Sequence, residues 1–330
     1  MPTWGEELKE LAQLQKEGHP SPFDYLRRKH LTTLSSYTKR NIVSYSSRWT
    51  IPTPGISPEL TSMTEEDIYG FMEVFHGLSP GPLDLLLHMP GGSTEAVEGL
   101  VAYVRSKFKD VRVIIPHAAM SAATMLACSA NKIVMARHSF IGPIDPQLIA
   151  MTPLGPQAIP VQAIIDQFEL AKSDCKNPEL LGAWAPILPQ YGPALVVQSR
   201  DALALSVELV STWLQKYMFR ALPDAKTKAE TVATKLADHR LFKTHARHID
   251  REQARSIGLV IDGLEEDQML QDLVLSTFHA TTLTFQFTPT AKIIENQLGN
   301  AYVRQFMVAP PIQPQGEGQK TSQQPSVPSG

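Results

Sequence analysis

Apolar positions between residues 83 and 135 alternate between two rhythms. Leu83-Asp84-Leu85-Leu86-Leu87-His88 is an apolar run of strand length. Thr94 to Phe108 then spaces Val97, Leu100, Val101 and Val104 at the period of a helix. Val111-Arg112-Val113-Ile114-Ile115 is β-branched and predicts a second strand. Ser121 to Ser129 is small and apolar, as a buried helix requires, and Ile133-Val134-Met135 predicts a third strand. Strand, helix, strand, helix, strand implies βαβ units with parallel pairing and right-handed crossovers. The fold class expected is α/β with a mostly parallel sheet.

The flanks are less regular. Thr3-Trp4-Gly5-Glu6 has the form of a capping box, and Leu8, Leu11 and Leu14 follow as a thin apolar stripe. Residues 1–34 are therefore expected to be a helical arm, its stripe suited to docking on another surface such as a neighbouring subunit. A Pro- and Ser-rich loop over about 50–62 leads into a helix from Thr64 to His76, whose first turn carries Glu65, Glu66 and Asp67. Pro143, Pro146, Pro153, Pro156 and Pro160 predict a loop over 143–160. Helices are expected over Val161–Cys175, Leu195–Arg220, Lys226–His239 and Gln268–Phe278, with an α/β piece over Leu241 to Ile261. One domain is expected over 35–305, followed by a disordered Pro/Gln/Ser-rich tail over 306–330.

Composition narrows the functional classes. With 330 residues, 43 % hydrophobic and 19 % charged, the chain can bury a large core. Its 30 Lys and Arg against 33 Asp and Glu, net −3, argue against nucleic acid as a partner, which requires concentrated positive charge. Two cysteines, Cys128 and Cys175, support neither a disulfide framework nor a metal site. No apolar run reaches the length of a membrane span, and the N-terminus lacks the pattern of a signal peptide, so a cytoplasmic location is expected.

Two strand ends carry candidate chemistry. Met89-Pro90-Gly91-Gly92-Ser93 joins a strand to a helix, where two glycines let backbone approach a ligand closely. It lacks the lysine of a phosphate loop and the third glycine of a dinucleotide site. Ala118-Ala119-Met120-Ser121-Ala122-Ala123-Thr124 places Ser121 at the first turn of the next helix. Capping of that helix by Ser121 is the plain alternative, and the Gly-x-Ser-x-Gly elbow is absent. One βαβ unit separates Gly92 from Ser121, so both lie at the C-terminal edge of the sheet and can face each other. The amides of Gly92 and Ala122 then suit an oxyanion hole around a carbonyl attacked by Ser121, each such donor being worth about 3 kcal/mol. His88, just before Met89, is expected to be an edge-strand polar residue or a residue lining the site.

Pro90-Gly91-Gly92, Met120-Ser121-Ala122-Ala123-Thr124-Met125 and His138-Ser139-Phe140-Ile141-Gly142-Pro143-Ile144-Asp145-Pro146-Gln147 resemble the signature of the serine dehydrogenase proteinase family. These are Clp-fold serine proteases related to signal peptide peptidase A and the Clp proteolytic subunit. The likeness covers most of residues 2–305. It implies a Clp/crotonase-like fold, Ser121 as nucleophile, Gly91, Gly92 and Ala122 at the oxyanion and substrate-binding position, and ring-like homo-oligomers. In the Clp subunit a His stands on the strand after the nucleophile helix; the matching stretch here reads Gly142-Pro143-Ile144-Asp145. The third triad member of that subunit lies at the start of a segment matching Lys243 to Ile261.

Two bases are therefore weighed. On a helix over Val161–Cys175, Lys172 falls within the arc of Val161, Ile164, Ile165, Phe168 and Cys175, opposite Asp166, Glu169, Ser173 and Asp174. Apolar surroundings would lower its pKa and let a neutral amine deprotonate Ser121, as in a Ser-Lys dyad. His245 is the rival, with His239 and His248 ranked behind it. The function expected is a serine endopeptidase acting on peptides or proteins, needing no metal or organic cofactor. An acyl-CoA hydratase or isomerase of the same fold and a non-catalytic scaffold are the alternatives.

Overall fold

The apolar runs at residues 83–88, 111–115 and 132–135 become the middle of a central sheet because helices cover both of its faces. A computed structural model describes residues 2–152 and 155–307, and the expected disorder of the tail concerns residues that lie largely outside them. In chain order the strands are β1 (Asn41–Ser47), β2 (Leu83–His88), β3 (Val111–Ile115), β4 (Ala118–Ala119), β5 (Lys132–Met135) and β6 (Phe140–Ile141). They are followed by β7 (Gln147–Thr152), β8 (Gly155–Pro160), β9 (Ile249–Asp250), β10 (Ile261–Gly263), β11 (Thr290–Asn296) and β12 (Ala301–Gln305). The seven-stranded sheet runs β10-β5-β3-β2-β1-β11-β12. Its first five strands are parallel, and β11 and β12 join antiparallel. The mixed α/β, mostly parallel sheet has the Clp-like form expected.

Alternate residues of each strand feed two cores. Leu85, Leu87, Val113 and Ile115 pack with Val97, Leu100, Val104 and Met125 on one face. Ile42, Leu86, Ile114 and Val134 pack with Leu31, Leu34, Leu270 and Val274 on the other. Buried on both faces, parallel strands read as unbroken apolar runs.

Several expectations are corrected. The N-terminal stripe docks on its own chain: the helices Trp4–Lys16 and Pro22–Thr38 bury Leu11 and Leu26 against Ala280 and Leu283, with Leu8 and Leu14 packed alongside. Capping by Thr3 and Glu6 is present as expected. The proline-rich stretch contains the hairpin β7–β8 rather than only loop. Its prolines at 156 and 160 are tolerated because the pair is a two-stranded sheet of two edges. The last helix runs from Gln268 to Phe287, well past Phe278. Thr277, Thr281, Thr282 and Thr284 return their hydroxyls to the carbonyl four residues back, so these polar groups are satisfied within the helix itself.

The antiparallel strand β11 escaped sequence reading because charges sit inside it. Lys292 and Glu295 of β11 are buried. Glu295 accepts from Arg27 at 2.8 Å and Arg28 at 2.9 Å. Lys292 donates to Asp67 at 2.8 Å and to Ser62 O at 2.5 Å, and Tyr45 donates to Asp67 at 2.5 Å. Asp67 thus serves a buried network rather than the dipole of its helix, which spans Asp67–Phe75. Replacing Lys292 by Met should strand the Asp67 carboxylate and cost about 3–5 kcal/mol in urea unfolding. An unchanged unfolding midpoint would contradict that role.

Candidate active site

Ser121 sits where β4 turns into the helix Ala122–Cys128, with φ 51 and ψ −122. A positive φ in a non-glycine costs about 1–3 kcal/mol and persists only where its surroundings impose it. Here they do. Met120 N–H donates to Met89 O at 3.0 Å, Met89 N–H to Ala118 O at 3.2 Å, and Ala123 N–H to Met120 O at 2.8 Å. The turn has the sharp strand-to-helix form of a nucleophile elbow, without that motif's glycines. Ala119 and Ala123, both fully buried, take the flanking places. Glycines from two other segments supply the room. A Cβ on Gly91 would stand 2.7 Å from Ser121 Cβ, and one on Gly142 would stand 3.2 Å from Ser121 N. The Ser121 side chain makes no capping hydrogen bond, so the capping alternative is not what the structure holds.

Gly91 and Gly92 approach protein backbone on both sides. Gly91 lies against Ser121 and Ala122 N, and a Cβ on Gly92 would fall 2.1 Å from Met63 O. Met63 bridges to this loop in parallel, its N–H donating to Gly91 O at 2.7 Å while Ser93 N–H donates to Met63 O at 3.1 Å. Neither Gly92 N–H nor Ala122 N–H has an acceptor among the described residues. The segments expected to meet at the sheet edge are adjacent.

The candidate bases separate. Lys172 is not in apolar surroundings: its side chain is 58 % exposed and pairs with Glu169 at 2.7 Å. On its helix, Val161–Asp174, only Val161, Ile164 and Ala171 are buried, a narrower arc than the apolar sequence suggests, and Lys172 falls beyond its rim. His245 instead donates or accepts through Nδ1 at 2.7 Å from Asp145 Oδ1, and His239 Nδ1 lies 2.9 Å from Asp145 Oδ2. The Asp145 side chain is fully buried. A cleft of about 510 Å³ is lined by Pro90, Met120, His239, Lys243 and His245, with Trp49 on its wall.

Sequence reading gave Asp145 no role and ranked His239 low. A usable signal existed: an acid between Ile144 and Pro146 in an apolar stretch is costly to bury without hydrogen-bond donors. His248 stacks on Phe140 at 3.7 Å, and His138 Nε2 lies 3.0 Å from Pro116 O. Cys128 is core, its thiol pushed up to about 12 by burial, and Cys175 is half-buried.

His88 is on a central strand, not an edge, and is buried. It stacks on His117 at 5.3 Å and meets Phe278 edge-on at 5.1 Å. Burial, with the neighbouring His117, pulls its pKa down to about 3.

The fold is α/β with a mostly parallel sheet, and a strained serine stands at the C-terminal end of its strands. Residues 71–172 match the family described as ClpP-like SDH-type serine proteinase, which is the resemblance expected. An uncharacterized protein of Methanocaldococcus jannaschii is 28 % identical over 183 residues, 55 % of this chain and 54 % of that protein. A second uncharacterized protein of the same organism is 39 % identical over 67 residues, 20 % of this chain and 23 % of its own length. The matches therefore span about half of one relative and a quarter of the other. Among the described residues no helix is long and apolar enough to cross a membrane.

The His88 environment has a consequence for stability. Its folded-state pKa lies below its unfolded value, so the unfolded chain binds the extra proton as pH drops. The associated stability is complete above about pH 6.5 and is lost progressively as pH falls towards the folded value. Urea midpoints should decline between about pH 7 and pH 5, above the range of most carboxylates, and His88→Leu should flatten that decline. An equal slope in both proteins would contradict the assignment.

Proposed function

We propose that the protein is a serine endopeptidase in which Ser121 is the nucleophile, His245 the general base and Asp145 the residue that orients it. The observation that carries this reading is the strained Ser121, its hydroxyl free of capping, set against Gly91 and directly following Met120 of the cleft wall. Asp145 engages His245 Nδ1, so the neutral imidazole with its proton there keeps Nε2 as a proton acceptor. The acid occupies the position where the resemblance expected histidine, and His245 occupies the position of the third member. The exposure of Lys172 and its pairing with Glu169 favour His245 over the dyad.

The chemistry follows the order of acyl transfer. Ser121 Oγ attacks the peptide carbonyl carbon while His245 Nε2 takes its proton. The carbonyl oxygen, now negative, is held by Gly92 and Ala122 amides, and collapse expels the amine with the proton from His245. Water repeats the sequence on the acyl-enzyme and releases the acid. These steps require no organic cofactor or metal.

Ser121→Ala and His245→Ala should each lower hydrolysis of an unfolded protein substrate by about 10³-fold or more, with circular dichroism unchanged. Lys172→Arg should retain activity. A dead Lys172→Arg beside an active His245→Ala would transfer the base to Lys172, and an active Ser121→Ala would overturn the hydrolase reading.

The proposed enzyme acts as a homo-oligomer, as the resemblance implies. Ile149 and Met151 on β7 are 71 % and 80 % exposed, side chains that a partner surface would cover. Sedimentation of wild type should show an oligomer that Ile149→Asp with Met151→Asp dissociates; a monomeric wild type would contradict it.

A further inference from the structure

The wall of the cleft carries a cation that no carboxylate of the described chain answers. Lys243 follows the helix His239–Phe242 in a left-handed conformation, φ 69, and its N–H donates to His239 O at 2.7 Å. This corner is therefore fixed between the two histidines that line the same cleft. The neighbouring acids are committed. Asp145 holds His239 and His245, and Asp166 pairs with Arg240. Asp238 accepts from Arg240 N at 2.9 Å, and Asp250 accepts from Gln253 N at 2.8 Å. Among the described residues that line the cleft, Lys243 alone is a Lys, Arg, Asp or Glu, so the formal charge on that wall is positive.

A cleft wall of one sign raises the local concentration of an oppositely charged occupant and penalises a like-charged one. We propose that Lys243 forms an anionic subsite, so that the cleft selects peptides carrying a carboxylate close to the bond presented to Ser121. The inference rests on the peptidase reading for the identity of the occupant. The Lys243 ammonium supplies a point charge with three donors on a flexible stem, suited to a carboxylate of variable reach.

Binding can be read without catalysis on full-length Ser121→Ala. End-blocked dansyl peptides of one length would carry Glu, Gln or Lys at each of several successive positions. A further Gln peptide would have a free C-terminal carboxylate, separating side-chain from chain-end recognition. By fluorescence anisotropy at low salt, the best Glu peptide should bind about 5- to 10-fold more tightly than its Gln counterpart, an advantage that shrinks as salt rises. Lys243→Gln should erase the difference, and Lys243→Glu should shift preference to the Lys peptide. If the gain appears only with the free C-terminus, the subsite reads chain ends. No carboxylate preference, no measurable binding, or a preference that survives Lys243→Gln overturns the proposal. Fluorophosphonate labelling of Ser121 in Lys243→Glu protein keeps the two claims apart. Labelling without charge selectivity sinks the subsite alone, whereas absence of labelling in wild type sinks the peptidase reading.

Discussion

The contact between Gly91 and Ser121 sets the spacing on which the rest of the proposed site depends. No side chain fits on that face of Gly91, so two loops from adjacent parallel strands meet backbone to side chain. The Met89–Ala119 bridge joins the same two loops one step earlier. Ser121 is thereby held in a conformation it would not adopt alone, and the cost of about 1–3 kcal/mol is carried by the sheet beneath it. On the other side Met63 clamps the glycine loop. Met63 in turn follows Ser62 and precedes Thr64, both tied to the buried Lys292–Asp67 network. A charge pair in the core of the sheet is thus connected, through one short segment, to the amide of Gly92.

A second constraint is the buried carboxylate of Asp145. An ionised carboxylate out of water is tolerated only with donors on its oxygens. His245 and His239 occupy one oxygen each. That arrangement fixes two imidazoles at the cleft with Nδ1 committed and leaves each Nε2 available. In the proposed triad the acid and the base stand in the reverse of the order described for the Clp subunit. Exchange of acid and base between two positions preserves an Asp–His pair while changing which segment carries each member.

What could be read from residues alone follows the physics of burial. Three strands of the parallel sheet, β2, β3 and β5, were legible because both faces are covered and their apolar runs are unbroken, as at Leu85-Leu86-Leu87, whereas β1 buries Ser44, Ser46 and Ser47 among its apolar residues and was not. The antiparallel strand β11 was not legible either, because Lys292 and Glu295 look like surface residues until their partners Asp67 and Arg27 are known. The junctions at Gly91-Gly92 and Ser121 stood out locally, since glycine pairs and small-residue turns mark close backbone approach. Asp145, His239 and His245 come from segments about a hundred residues apart, and no local periodicity reports such a meeting. Lys172 shows the opposite failure: a helical wheel gives an arc, but the neighbouring elements decide how much of it is covered.

The most direct measurement is a crystal structure of the protein after reaction with a peptidyl fluorophosphonate. The account predicts a covalent bond from Ser121 Oγ to phosphorus and a phosphonyl oxygen within about 2.7–3.1 Å of both the Gly92 and Ala122 nitrogens. His245 should lie within hydrogen-bond reach of the adduct. An unmodified Ser121, or an adduct whose oxygen turns away from those two amides, would contradict it.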